Sequence, residues 1–364
     1  MKIAHVVDSM DVGGAETIVA QMSRLQREQG HDPAIYAVAG LGTLGEQMRQ
    51  EGFTVQTHLG RNLPDGMRNF SRTFKKAQPD VVHLHNPTPT IYAAIPARMA
   101  GVPCIVSTRH SLVGNPRNHI VELKYAVAAT CCDWIVGICE ATANNLKDIH
   151  TIPTRKIVRV YNGATPLRRA AKEQQPQKNG FTLIFVGRLE PVKNHSLLLR
   201  AFAAAHASMP SLRLWMVGDG SERNRLENLA VELGISESVK FWGQQLDVAP
   251  FYSAADVFIM SSKSEGLPMS LLQAFSLGLP AIVTEIGGMA EAVRLSKAGL
   301  TVPPDDSAEM AAAILRLARS NEEREQFSRN AEEAFHSRFA LQTMVDAYAN
   351  LYRNTPRARR GPKS

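Results

Sequence analysis

Short β-branched apolar runs alternate with helix-period runs from the first residues onward. In the first half the extended runs are IAHVV (3–7), AIYAVA (34–39), TVQTHL (54–59), DVVHLH (80–85), CIVST (104–108), WIVGI (134–138) and IVRVY (157–161). Strands separated by helices in this way predict a largely parallel sheet with helices on both faces. The first helix is expected from about Ala15 to Gln29, with Ile18, Met22 and Leu25 on one face and Gly30 as its C-terminal stop.

The alternation breaks at 166–180 (PLRRAAKEQQPQKNG), an apolar-poor stretch with two prolines that reads as an interdomain linker. It restarts with FTLIFVG (181–187), LRLWMVG (212–218), VKFWG (239–243), VFIMSS (257–262), AIVTE (281–285) and a short LTV (300–302). The last helices, with Phe335, Phe339, Met344, Tyr348 and Tyr352, add no strand and need a surface to cover. The expectation is therefore an α/β protein of two doubly wound domains, 1–165 and 181–340. A helix at 341–352 crosses back to the first domain, and a basic tail follows at 353–364. Each sheet offers a ligand crevice at the carboxyl ends of its strands, so two facing domains would enclose a cleft.

Composition supports this picture. The 364 residues are 44% hydrophobic and 21% charged, as in soluble globular chains able to bury a core. The net charge is +7, but Arg353, Arg357, Arg359, Arg360 and Lys363 cluster at the end, so the body is nearly neutral. That balance argues against nucleic acid as a partner. The four cysteines (Cys104, Cys131, Cys132, Cys139) form no C-x-x-C pair and lie in apolar stretches, as expected in a reducing cytoplasmic setting. Asp8 interrupts the N-terminus too early for a signal peptide, and Arg98 and Asp133 break the longest apolar stretches, so no membrane span is expected.

The candidate chemistry follows strands. DSMDVGGAE (8–16) puts Gly13 and Gly14 at the opening of the first helix, where free N–H groups favour an anion; a plain tight turn reads equally well. In FVGRLEPVKN (185–194), Arg188 and Lys193 suit a diphosphate, unless they are surface cations paired with Glu190. The following helix is capped by Asn194. In SSKSEGLPMSLLQA (261–274), Glu265 ends a strand and Gly266, Leu267 and Met269 begin a helix, with Pro268 in its first turn. Glu265 could accept hydrogen bonds from sugar hydroxyls or simply serve as a helix cap.

Taken in order, GGAE, DVVHLHNP, the histidine of VSTRHSLVG, YNG, GRLEPVKN, VGDGSE and SEGLPMSLLQA resemble the retaining glycosyltransferases of family 4, with the GT-B fold, over about residues 1–350. The resemblance implies transfer of a sugar from a nucleotide diphosphate sugar, UDP before GDP, to an acceptor hydroxyl with retained configuration. It implies that Arg188 and Lys193 hold the diphosphate, Glu265 the sugar hydroxyls, and that His110 lies near the transferred sugar. Gly13 and Gly14 would close over the phosphates, while Gly218, Asp219 and Gly243 lie in the loops against the base. A glycan or lipid-linked acceptor in cell-surface polysaccharide synthesis, on the cytoplasmic membrane face, is the expected setting.

One position departs from the pattern: Gln273 stands eight residues after Glu265, where such enzymes carry a second glutamate that holds the ribose. Weaker nucleotide binding is expected, since a charge-assisted bond exceeds a neutral one by roughly 1 kcal/mol. It keeps open a noncatalytic nucleotide-sugar-binding protein, as the shared fold keeps open an epimerase. His83 and His85 share a strand face, but no third metal ligand is visible, so no metal and no cofactor are expected. The stretch 60–80 sets Arg61, Arg68, Arg72, Lys75 and Lys76 around Met67, Phe70 and Phe74, either a solvated helix face or one that docks on an anionic membrane.

Overall fold

The computed structural model describes residues 1–11, 13–58, 62–112, 119–148 and 152–355. Arg61, the end of VSTRHSLVG and the basic residues after Thr355 lie outside them. The chain divides into Met1–Ala164 plus the segment from Leu341 onward, and Thr165–Ala340.

In the first unit the strands are β1 (Lys2–Val7), β2 (Asp32–Ala37), β3 (Thr54–Thr57), β4 (Val81–His85), β5 (Cys104–Arg109), β6 (Trp134–Gly137) and β7 (Ile157–Arg159). They form one parallel sheet in the order β3-β2-β1-β4-β5-β6-β7. Helices α1 (Gly14–Glu28), α2 (Gly42–Gln50), α3 (Leu63–Ala77), α4 (Pro87–Met99), α5 (His119–Ala129) and α6 (Glu140–Lys147) connect them. Several strands stop a residue or two before their apolar runs do, because the last residues turn into loops at the carboxyl edge.

The second unit holds β8 (Phe181–Val186), β9 (Leu212–Val217), β10 (Val239–Gly243), β11 (Val257–Met260), β12 (Ala281–Thr284) and β13 (Gly299–Val302). They too are parallel, in the order β10-β9-β8-β11-β12-β13. Its helices are α7 (His195–Ser208), α8 (Arg223–Glu232), α9 (Ala249–Ala254), α10 (Met269–Ser276), α11 (Gly287–Ser296), α12 (Ser307–Arg319) and α13 (Asn321–Ala334). Both sheets reverse their order at one seam, between β1 and β4 and between β8 and β11, where crevices open in such sheets.

The segment 166–180 is fastened to the second unit. Leu167 N–H donates to Ser276 Oγ (3.1 Å), Ala170 N–H to Ser253 Oγ (2.9 Å), and Lys178 pairs with Asp256 (2.6 Å). Past α13, a π turn over Phe335–Phe339 buries both phenylalanines, and α14 (Leu341–Arg353) packs on the first unit. There Met344, Tyr348 and Tyr352 are buried, and Leu341 N–H donates to Ala164 O at 2.9 Å. No described helix is long and apolar enough to cross a membrane.

Candidate active site

In the second unit, the loops after β8, β9 and β10 are knitted backbone to backbone. Leu189 N–H donates to Asp219 O (2.9 Å), Glu222 N–H to Leu189 O (2.9 Å) and Gly218 N–H to Gly243 O (2.8 Å). Only glycine fits at 218: its φ is +134° and a Cβ would lie 1.9 Å from Gly187 O. The loop after β11 joins the same platform, with Ser261 Oγ donating to Lys193 O (2.9 Å) and Lys263 N–H to Val192 O (2.8 Å).

On this platform Arg188 is exposed, and Lys193 Nζ lies 2.5 Å from Glu265 Oε2. Their side chains are 14% and 18% exposed, so the pair is largely withdrawn from water. Glu190 is not the partner of either cation. Its carboxylate accepts from Ser221 Oγ (2.8 Å) and N–H (3.4 Å), which, with the charge of Arg188, holds its pKa below the usual carboxylate value. Asn194 stands at the start of α7 in a left-handed conformation without capping it by its side chain, which donates to Asp305 Oδ1 at 3.0 Å. The carboxylate of Asp219 is likewise used locally. It accepts from Gly220 N–H (2.8 Å) and Arg223 (3.0 Å), and both bonds lower its pKa.

Pro268 is the N-cap of α10 and not a member of its first turn; its carbonyl accepts from Leu271 and Leu272, which leaves the Met269 and Ser270 N–H groups without partners inside the helix. Gly266 and Leu267 are buried beneath this start, and Gln273 lies half-buried on α10. His195 was not singled out by sequence. Its Nε2 faces Arg188 O at 3.3 Å, and burial pushes its pKa to about 4.

In the first unit, Gly13 is the N-cap of α1 and its carbonyl accepts from Thr17 N–H. Space around a Cβ at Gly14 is open, whereas the Glu16 carboxylate folds back against Gly13. A carboxylate therefore already sits where an anion was expected. His110 follows β5, and its N–H donates to Asn86 Oδ1 (3.1 Å). Asn86 itself holds a left-handed φ of +77°, an uncommon conformation for a non-glycine residue.

Beneath His110 runs a buried row of imidazoles. Parallel register sets His5 on β1 opposite His83 on β4, and His85 opposite Thr108 on β5. His5 Nδ1 lies 3.1 Å from His85 Nε2, and His85 Nδ1 lies 3.0 Å from His110 Nε2. His5 Nε2 faces Gln26 Oε1 of α1 at 2.8 Å; His83 faces the Tyr352 hydroxyl (2.8 Å) and Thr108 Oγ1 (2.7 Å). Burial holds His5 and His110 at about 4 and His83 and His85 well below 6.5, so the row is neutral.

His5 is thus the third imidazole that sequence did not reveal, and His5, His83 and His85 are close enough to share an ion. All six of their ring nitrogens are already engaged in hydrogen bonds, which an ion would have to displace.

On α3, Arg68, Arg72, Lys75 and Lys76 are exposed, but Phe70 and Phe74 are buried in the core and present nothing outward. The apolar surface beside the basic stripe comes instead from α5. Ile120 (67%), Leu123 (63%) and Val127 (56%) are exposed there, and Leu123 and Val127 share a groove with Leu63, Met67, Ile91 and Ile95.

Two parallel doubly wound sheets, with cations and an acid at the seam of one and histidines at the seam of the other, define a GT-B glycosyltransferase. Residues 12–166 match the family model for Glycosyltransferase Family 4 and residues 168–334 that for Glycosyl transferases group 1. The chain belongs to family 4 of the glycosyltransferases.

A UDP-Gal:α-D-GlcNAc-diphosphoundecaprenol α-1,3-galactosyltransferase of Escherichia coli is 27% identical over 97% of this chain and 96% of its own. The lipopolysaccharide core glycosyltransferase LpsE of Rhizobium meliloti is 34% identical, over 47% of this chain and about half (49%) of its own length. The crystal structure of HepE from Anabaena in complex with UDP superposes with a TM-score of 0.84 at 19% identity, covering 96% of this chain and 99% of that one.

Proposed function

We propose that this glycosyltransferase moves a sugar from a UDP-sugar to a hydroxyl of a lipid-linked glycan in cell-surface polysaccharide synthesis, with retention and without a metal ion. The observation that carries the reading is the Lys193–Glu265 pair beside Arg188, on a platform whose loops are joined backbone to backbone. The leaving diphosphate would draw Lys193 from Glu265, which frees the carboxylate to accept from sugar hydroxyls. Arg188, Lys193 and the N–H groups at Met269 and Ser270 would then meet the charge that develops as the glycosidic bond breaks. One cation about 4 Å away contributes ~4 kcal/mol at an effective dielectric of 20, roughly a thousandfold in rate.

With two cations in place of a metal, the diphosphate needs no divalent ion. Retention fits same-face displacement, because among the described residues none stands out as a nucleophile at this platform. The uridine preference draws on the UDP named for the Anabaena structure and the UDP-Gal named for the E. coli enzyme. That enzyme's diphosphoundecaprenol acceptor, together with the basic stripe of α3 and the exposed apolar residues of α5, supports a peripheral site on an anionic cytoplasmic membrane face.

The test is thermal shift of EDTA-treated protein with UDP, GDP and ADP, followed by UDP release from UDP-sugars in the presence of a diphosphoundecaprenol-linked sugar. Stabilisation by UDP alone and turnover in EDTA are expected. No shift from any nucleotide would refute the donor assignment, and activity only with added metal would refute the ion-free mechanism.

A further inference from the structure

The row of imidazoles has a direction. Gln26 is buried, and its Oε1 faces His5 Nε2 at 2.8 Å. An amide oxygen only accepts, so it takes the proton of His5 Nε2. A neutral imidazole has one donor and one acceptor nitrogen, so each ring then dictates the next. His5 Nδ1 must accept, hence His85 Nε2 donates at 3.1 Å; His85 Nδ1 must accept, hence His110 Nε2 donates at 3.0 Å. The last nitrogen, His110 Nδ1, is buried and has no hydrogen-bond partner among the described residues. An acceptor left bare in this way is costly unless a ligand fills it.

We propose that Gln26, His5 and His85 are positioning residues that hold His110 as its Nε2–H tautomer, so that Nδ1 offers a lone pair to a hydroxyl of the sugar being transferred. The inference rests on reading His110 as lying beside that sugar, and it adds how a residue on α1, reached through two imidazoles, decides what His110 can recognise. It also gives the sugar site a preference: a hydroxyl, which donates, is accepted, whereas an ether or a deoxy position leaves Nδ1 unpaired. A flipped Gln26 amide would reverse every bond in the row and leave an N–H at Nδ1. The proposal therefore makes a binary statement.

The experiment is long-range proton–nitrogen NMR of protein labelled with nitrogen-15 histidine at pH 7.5, with His110 assigned by the signals lost in His110→Gln. The expected result is a protonated Nε2 and a bare Nδ1. Gln26→Glu keeps an acceptor at the same place, and should keep this tautomer and most of the rate. Gln26→Met removes the acceptor. It should mix the tautomers and lower kcat about tenfold while donor KM changes by less than twofold.

A protonated Nδ1 in the unaltered protein overturns the proposal. So does identical behaviour of the two Gln26 variants in both spectrum and kcat. Should Gln26→Met fail to fold, the unaltered protein and Gln26→Glu still decide the tautomer. Unimpaired transfer by His110→Gln, with the expected spectrum, would overturn the sugar contact alone. Loss of the UDP thermal shift in the unaltered protein would instead overturn the donor assignment.

Discussion

Lys193 Nζ and Glu265 Oε2 stand 2.5 Å apart on two loops that also bond through Ser261 Oγ to the Lys193 carbonyl. The cation and the acid are thus each other's partners in the absence of donor. Lys193→Ala or Arg188→Ala should reduce transfer about a thousandfold; the thermal midpoint should hardly change in Arg188→Ala, because Arg188 is exposed, but should fall in Lys193→Ala, which leaves the largely buried Glu265 carboxylate without its partner. Glu265→Gln should separate the two functions, with UDP affinity held or raised and sugar transfer lost. Calorimetric titration and UDP-release rates measure both; a loss of UDP affinity in Glu265→Gln would contradict the exchange of partners.

At the ribose position, Gln273→Glu should tighten UDP about fivefold, the equivalent of ~1 kcal/mol for a charge-assisted bond. The dissociation constant for UDP is the readout, and an unchanged or weaker value removes Gln273 from the nucleotide site.

Two glycines make opposite predictions. Gly218→Ala collides with Gly187 O and is strained at φ +134°, so it should cost about 3 kcal/mol and take UDP binding with it. Gly14→Ala meets open space at a helix start, so stability should hold or rise by up to ~1 kcal/mol. If the donor phosphates approach Gly14, its turnover should fall nonetheless. Denaturant melts and kcat/KM of both variants decide.

Stability should fall in acid. His5, His110 and His195 are neutral in the fold down to about pH 4 because burial disfavours their charged forms, whereas in the unfolded chain they protonate near 6.5. Their contribution is fully present above 6.5 and is lost between 6.5 and 4, at about 2 kcal/mol for each by pH 5. Urea midpoints at pH 7.5 and 5.0 check this; equal midpoints would mean that these imidazoles are already charged in the native state.

Vesicles of phosphatidylglycerol should sediment the protein and vesicles of phosphatidylcholine should not. Lys75→Glu with Lys76→Glu should abolish binding through charge, and Leu123→Asp through lost insertion. Equal binding to both lipids would remove the charged stripe from the account.

Strands and their order of appearance were legible because parallel strands buried on both faces leave continuous β-branched runs; β8 to β12 lie within such runs, and β13 begins one residue ahead of its run. Arg188, Lys193 and Glu265 were legible because strand ends punctuate the sequence. Their mutual pairing was not: 72 residues separate Lys193 from Glu265, and the nearer Glu190 offered the simpler partner. His5 was hidden for a similar reason. Nothing local in IAHVV marks a functional histidine, and only the register of β1 against β4 brings it beside His83. Phe70 and Phe74 misled because an amphipathic pattern does not say which face meets the core.

The helix that closes the histidine row is made only after the whole second unit. Tyr352 bonds His83 and Tyr348 bonds Thr108, yet all of Thr165–Ala340 is synthesised between β7 and α14. During translation the first sheet therefore waits with its imidazoles uncovered while a whole second unit emerges. A message cut short between Val302 and Leu341 yields two recognisable sheets, one of which has an unroofed polar interior.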